Sequence, residues 1–510
     1  MSHQRHVLIV GGGTAGWLTA AYLARALGAG VAVTLLESPE IGTIGVGEGT
    51  FPTIRETLRF LGIDEAAFVR AAGATFKQGV RFAGWQPDHD GAPHSYFHPF
   101  DAPFQPEPGL VTDWLRQDET IRAPFAEAVT IQHRVAAARR APKQPGEGDF
   151  AGPLTYAFHF DAVRLAALLA DRARALGVRH LTGRLHALVL AEDGTIAQVE
   201  SDAGTLTADL YVDCTGFRAE LIGRLPGARF HSVADQLFTD RALTCKLPYA
   251  VPDAPIESAT VATAHAAGWL WDIGLAGARG IGCVYASRHL DDAGAEAILA
   301  RYLGRDPAEL APRRIAFAPG WQERGWIGNC VAVGLAGGFL EPLESTGVVL
   351  IEAAAAMIAE LLPPRGPVDR GATRFNALMA ERYENIAAFL KLHYCLSRRP
   401  EPFWRDNADP ATLPPRLAAW LEQWRHRPPS RFDFQLESET FAHFNYQYIL
   451  YGMGFATDAG TADPDAAVRA ERLFARVRAY GERAARELPP HRALVEQLAG
   501  TALSPARTGS

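Results

Sequence analysis

The chain has 510 residues, 48% of them hydrophobic and 21% charged, an ordinary composition for a folded protein of one large or several smaller units. Its net charge of −7 lacks the basic excess that a nucleic-acid binder needs to neutralise phosphates. Five scattered cysteines, Cys214, Cys245, Cys283, Cys330 and Cys395, form no CxxC pair, so neither a disulfide framework nor a metal site is expected, and a cytoplasmic setting suits them.

The first apolar run is broken by three glycines and Thr14. That break suits a strand, a turn and a helix better than a secretory leader, despite Arg5 and the Ala24-Arg25-Ala26 triplet. No later apolar stretch is long enough to span a bilayer, so no membrane association is expected. His6 to Val10 reads as a buried strand, Thr14 to Leu27 as a helix and Val31 to Glu37 as a second strand. Between the first two stands Gly11-Gly12-Gly13-Thr14-Ala15-Gly16, a GxGxxG turn in the context a dinucleotide site requires. Gly11 permits the tight turn, Gly13 admits a pyrophosphate and Gly16 lets helix and sheet pack closely. Thr14 and Ala15 open the helix, whose free N–H groups suit negative charge. Glu37, 21 residues past Gly16, can hold a ribose diol.

Residues 86–110, rich in Pro, His, Asp and aromatics, suggest a long ordered loop, and residues 141–152 a mobile surface loop. Asp161 to Leu176 reads as helix and Gly204 to Asp213 as strand. From Thr346 onward helical periodicity dominates, with Ala466 to Leu488 an amphipathic helix and the last ten residues expected to be disordered. One compositional bias stands out. Only four lysines, Lys77, Lys143, Lys246 and Lys391, face 46 arginines, so surface positive charge is supplied by Arg. A lysine kept between Phe76 and the Val80/Phe82 alternation points to a need for an amine, which Arg cannot provide.

Two later segments, Leu210–Gly216 (LYVDCTG) and Asn329–Gly338 (NCVAVGLAGG), are strands that end in small-residue turns. Together with the first fingerprint they resemble the glutathione-reductase-like flavoproteins, which implies FAD. The fold expected is α/β: a GxGxxG βαβ FAD-binding fold with an added substrate-binding region and a largely helical C-terminal part. The expected division is a module over residues 1–360, with insertions around 86–150, and a helical region over 361–510. A single dinucleotide fingerprint leaves no second site for NAD(P)H, so reduced flavin must come from a separate flavin reductase.

Five collinear stretches, Gly11–Trp17 (GGGTAGW), Gly45–Thr50 (GVGEGT), Phe76–Phe82 (FKQGVRF), Trp269–Ile273 (WLWDI) and Glu341–Gly347 (EPLESTG), resemble the flavin-dependent tryptophan halogenases. The resemblance implies that FADH2, O2 and chloride or bromide yield hypohalous acid, which reaches an electron-rich, indole-like aromatic small molecule by way of Lys77. There the amine either takes the halogen or donates a hydrogen bond that polarises it. Glu344 is implied to stabilise the cationic ring and accept its proton. Thr346 and Gly347, at a helix start, are implied to hold the halide. Gly47, Glu48, Leu335 and Val348 join the glycine turn in binding FAD. His98 and Phe100 are implied to stack on the substrate ring. Trp269 and Trp271 are implied to stand beside the flavin and keep substrate from it. Two departures bear on this. Gly274 replaces the proline that ends the family's tryptophan motif, and Gln447 interrupts the paired tyrosines that recognise the amino-acid moiety. A flavin-dependent aromatic monooxygenase of the same fold would share the nucleotide features without needing Lys77 or Glu344. A non-catalytic flavin sensor would share the fingerprint alone.

Overall fold

The structure is a computed structural model that describes residues 4–40, 47–88, 91–104, 109–434, 440–461 and 464–500. Gly45 and Val46 of the second halogenase-like stretch and the last ten residues therefore lie outside the described residues. The chain divides into two compact units, each assembled from three segments: 1–73, 160–234 and 317–384 in the first, and 74–159, 235–316 and 385–510 in the second. The expected division at residue 360 falls inside the Thr346–Leu361 helix of the first unit.

In the first unit the Val/Ile/Leu-rich strand Arg5–Val10 lies inside a six-stranded sheet, parallel to Val31–Glu37 on one side and to Leu210–Asp213 on the other. Cys330–Ala332 and Arg179–Thr182 extend the parallel set, and Trp326–Ile327 closes one edge as an antiparallel strand. Continuous apolar runs are what a sheet covered on both faces requires. Leu8, Val10, Leu36, Tyr211, Leu221, Ile222 and Cys330 form one apolar cluster. The alanine-rich Thr14–Leu27 helix packs against the Ala162–Ala175 and Thr346–Leu361 helices. Because these strands are parallel, Val10, Glu37, Asp213 and Ala332 end on one edge, where open α/β sheets place their ligands.

The second unit is built on a seven-stranded sheet ordered Arg313–Ala316, Arg241–Pro248, Ala278–Tyr285, Gly268–Gly274, Thr260–His265, Gly79–Ala83 and Ser95–Pro99. Only the Thr260–His265 and Gly79–Ala83 pair is parallel. Leu243, Leu270, Ile281 and Cys283 meet Ala295 and Leu299 of the Asp292–Leu303 helix. By strand alternation Trp269 and Trp271 take the face opposite Leu270. Helices supply most of the rest, including His443–Gly452, Pro464–Glu487 and His491–Ala499.

Three local readings change. Residues 86–110 are not loop throughout: Ser95–Pro99 is a strand whose Tyr96, Phe97 and His98 pair with Phe82, Arg81 and Val80. Gly204 to Asp213 is two strands, because Gly204–Leu206 forms a hairpin with Ile196–Ser201 whereas Leu210–Asp213 enters the parallel sheet. The 141–152 loop is anchored, with Ala141 donating to the Pro489 carbonyl and Lys143 and Phe150 buried.

Candidate functional site

Four of the first unit's chain segments meet at the sheet edge. Gly11 has φ +118°, and a Cβ there would lie 2.2 Å from the Cys214 carbonyl oxygen, so only glycine fits. A Cβ at Gly16 would lie 1.8 Å from the Gly11 oxygen, which is how closely helix and turn pack. Gly13 differs: nothing lies within 4 Å of its would-be Cβ, so open space faces the start of the helix. The N-cap there is Gly13, with no side-chain cap, which leaves the N–H groups around Thr14 and Ala15 for a ligand. Glu37 sits over Gly12, with Trp17 Nε1 donating to its carboxylate at 3.3 Å and the His180 ring at ion-pair distance, Nε2 2.8 Å from Oε1. Leu335 lies in the Gly334–Ala336 turn, where Gly334 (φ +67°) would place a Cβ 2.7 Å from that of Ala15. An uncapped helix start, an open cradle and a carboxylate beside it fit a dinucleotide such as FAD. Half-buried Glu48, behind Gly47 in the Gly47–Gly49 strand, has its pKa pushed up to about 7, first by burial and then by the Asp161 carboxylate.

Asp213 is the residue sequence reading missed here. Fully buried, it accepts from the Thr215 N–H (2.9 Å), the Thr215 hydroxyl (2.6 Å) and the N–H groups of Leu221 and Ile222 (2.8 Å each). It thereby folds the Cys214-Thr215-Gly216 turn that abuts Gly11. A lone acid ending an apolar strand before a small-residue turn was the available signal.

The Glu341–Gly347 stretch leads into the Thr346–Leu361 helix through unusual backbone. Glu344 (φ 68°) and Ser345 (φ 59°) are consecutive non-glycine residues in the left-handed region, a conformation costing about 1–3 kcal/mol each. This turn buries Glu344 to 3% exposure and makes Ser345 an N-cap whose side chain caps nothing. Thr346 is buried, Gly347 is exposed with nothing within 4 Å of its would-be Cβ, and Val348 is buried behind them. The result is an anion-favouring helix start with room in front of it.

In the second unit Lys77 ends the Thr75–Lys77 strand, which pairs with Ala157–Asp161, and has no solvent exposure. Three of the chain's four lysines, Lys77, Lys143 and Lys391, are buried, in line with a chain that leaves its surface charge to arginine. Lys77 Nζ lies 5.3 Å from the centre of the Phe100 ring, so two of the residues singled out from sequence are brought together. His98 is buried and its Nε2 lies 2.9 Å from Asn445 Oδ1, with the Phe389 and Tyr448 rings beside it. Trp269 and Trp271 are both buried, ring centres 6.1 Å apart, on the Gly268–Gly274 strand. Gly282, on the neighbouring strand, makes room for Trp271: a Cβ there would strike its ring at 2.1 Å. At Gly274 a Cβ would come within 2.8 Å of Ile256 Cγ2, which leaves no space for the proline of the family motif.

Tyr446 and Tyr448 lie on the His443–Gly452 helix, where residues two apart point about 200° from each other. Tyr446 packs among Trp420, Trp424 and Phe434, while the Tyr448 hydroxyl donates to the Asp101 carbonyl at 3.0 Å. Gln447 donates from Nε2 to the Pro429 carbonyl at 2.8 Å.

A parallel sheet with a glycine-turn cradle, returning glycine-rich strands and an added antiparallel unit defines a flavoprotein of the glutathione-reductase-like class. The tryptophan halogenase family model matches residues 6–468. Tryptophan 6-halogenase SttH of Streptomyces toxytricini is 34% identical over 88% of this chain and 89% of its own. The tryptophan halogenase structure from Shewanella frigidimarina is 36% identical with a TM-score of 0.92, covering 97% and 98% of the two chains. Tar14, a tryptophan C-6 flavin-dependent halogenase from taromycin biosynthesis, gives 34% and 0.90 over 97% and 100%. This chain belongs to the tryptophan halogenase family, enzymes that halogenate with flavin. Among the described residues no helix is long and apolar enough to cross a membrane.

Proposed function

We propose that the protein halogenates an electron-rich, indole-like ring with chloride or bromide, using FADH2 delivered by a separate reductase, and O2. The observation that carries this reading is Lys77, an amine with no solvent exposure held against the Phe100 ring in a chain of this family. Reduced FAD with O2 supplies the oxidising equivalents that turn halide into hypohalous acid. In sum, FADH2, O2, a proton, halide and arene become FAD, two waters and aryl halide.

The chain's own residues do the rest. Gly11, Gly13, Thr14, Ala15, Gly16 and Glu37 hold the dinucleotide, with Gly47, Glu48, Leu335 and Val348 along the flavin. The N–H groups of Thr346 and Gly347 hold the halide. Trp269 and Trp271 keep the organic substrate from the flavin. Lys77 receives the hypohalous acid and presents its halogen to the ring, which His98 and Phe100 sandwich. Glu344 accepts the proton that the ring carbon loses as the carbon–halogen bond is completed.

The substrate reading departs from the three relatives named above, whose names specify tryptophan. A zwitterion needs polar partners for both charges, since burying either unpaired is costly. Here the two tyrosines face opposite sides of their helix, Tyr448 is committed to the Asp101 carbonyl and Gln447 to Pro429. The proposed preference is for indole or a simple derivative over free tryptophan. The test supplies equal indole and tryptophan with FAD, a reductase and bromide, and reads products by mass spectrometry. A bromine isotope doublet on indole is expected. Gain of oxygen would favour a monooxygenase, no product a sensor, and tryptophan ahead by about tenfold, some 1.4 kcal/mol of transition-state preference, would overturn the substrate reading.

A further inference from the structure

The short strand carrying Lys77 is held by a buried polar clamp on both sides of that residue. Before it, the Phe76 N–H donates to His491 Nε2 at 2.9 Å. After it, the Gln78 N–H donates to the Ser258 carbonyl at 2.8 Å. The Gln78 side chain and the Ser258 hydroxyl both donate to the Arg140 carbonyl, at 2.8 and 2.9 Å. One residue farther back, the Thr75 hydroxyl donates at 2.5 Å to the carbonyl of Gly274, the last residue of the tryptophan strand.

His491 is the member of this clamp that comes from farthest away, opening the C-terminal His491–Ala499 helix directly after Pro489-Pro490. Its hydrogen bonds fix its chemical form. A main-chain N–H must be received by a ring nitrogen with a lone pair, so Nε2 is unprotonated. The single ring proton then sits on Nδ1, 3.2 Å from both the Ile256 carbonyl and Ser258 Oγ. A second proton would set one N–H against another. Burial opposes that proton and brings the His491 pKa down to about 4, so the neutral form persists through the physiological range. The neutral imidazole thus joins Phe76 at one nitrogen to the Ile256–Ser258 segment at the other, and that same segment grips Gln78.

We propose that His491 is a positioning residue for Lys77: as the neutral Nδ1–H tautomer it accepts the Phe76 N–H and fixes the strand from which the Lys77 amine projects. The inference rests on the reading of Lys77 given above. Reactive groups tolerate little displacement, and about 1 Å of misplacement can cost some 10²-fold in rate. An amine that drifts from the ring lets oxidised halogen escape rather than transfer. The signature of a positioning role is therefore uncoupling, not a uniform loss of activity.

The experiment compares His491→Leu with His491→Gln, whose Oε1 can accept the Phe76 N–H near the place of Nε2. Three quantities are read: FADH2 reoxidation, aryl halide formed per O2 consumed, and escaped hypohalous acid trapped by a thioether. Expected for His491→Leu is reoxidation within about twofold of the parent, with product per O2 down about tenfold or more and trapped halogen raised to match. His491→Gln should recover most of the coupling. Unchanged coupling in the Leu variant, an equal fall of all three quantities, or a Gln variant no better than Leu each overturns the proposal. If circular dichroism shows the Leu variant unfolded, His491→Asn, too short to reach Phe76, takes its place in the comparison with Gln under the same criteria. Lys77→Ala run in parallel separates the two levels. Full coupling in that variant removes the Lys77 reading itself, whereas uncoupling there with a coupled Leu variant removes only the role of His491.

Discussion

Replacing Asp213 by Asn tests whether the returning strand organises the nucleotide site. The carboxylate accepts four hydrogen bonds in a fully buried setting, two from Thr215 and one each from Leu221 and Ile222. An amide offers one oxygen and one NH2 group. Turned so that its oxygen meets Leu221 and Ile222, its nitrogen can donate to the Thr215 hydroxyl but confronts the Thr215 N–H. Turned the other way, it leaves two main-chain donors orphaned. The better case costs about 1–3 kcal/mol for one buried orphan and about another 1–2 kcal/mol for lost charge assistance. At about 2–4 °C per kcal/mol for a unit of roughly two hundred residues, the first unit's melting transition should drop by about 4–20 °C. Because the Cys214 carbonyl lies 2.2 Å from where a Gly11 side chain would begin, any shift of this turn reaches the glycine cradle. FAD affinity, read by quenching of flavin fluorescence, should weaken about tenfold, or 1.4 kcal/mol. An unmoved transition with FAD affinity within about twofold of the parent would refute this reasoning.

Glu344→Gln should slow aryl halide formation by about 10²–10⁴-fold while FADH2 reoxidation continues, measured under single-turnover conditions; near-normal product would leave Glu344 as a strained turn residue only. Acidification should move the two units in opposite directions. In the second unit burial lowers His265 and His491 to about 4, so the unfolded chain binds more protons from pH 6.5 downward, and stability present above pH 6.5 is lost as pH falls toward 4. At pH 5 the loss is about 2 kcal/mol for each histidine. In the first unit burial raises Glu352 to about 7, outweighing the Thr57 and Thr53 hydroxyls. Its folded form then holds the extra proton, and stability is gained as pH falls from about 7 toward 4.5. Calorimetry at pH 7.5 and 5.5 should show the two transitions diverging, and a parallel shift of both would contradict these assignments.

How much was legible in the sequence depended on how local each constraint is. The Thr14–Leu27 helix and the Val31–Glu37 strand stand where the glycine turn and apolar runs put them, because both are set by neighbours in the chain. The buried state of Lys77 was foreshadowed by a composition that uses lysine so sparingly. Ser95–Pro99 escaped because its Pro and His content suggests loop, while its strand state depends on pairing with Gly79–Ala83. The clamp on Lys77 joins residues 415 positions apart, and Asp213's partners lie past a turn that it creates itself. The left-handed Glu344 and Ser345 had no signal, since neither residue type announces that backbone. Gln447 was visible as a departure, but its consequence, two tyrosines on opposite helix faces, required the helix to be seen.

In the proposed mechanism halogen reaches the arene by way of the Lys77 amine. The most direct test of this route is product formation by Lys77→Ala and Lys77→Arg with FADH2 reoxidation followed in the same samples. Both variants should consume O2 and release trappable hypohalous acid while forming almost no aryl halide, the Arg variant failing because it keeps the charge without a transferable amine. Aryl halide formed at near-parental rates by both would contradict the claim and take Lys77 out of the mechanism.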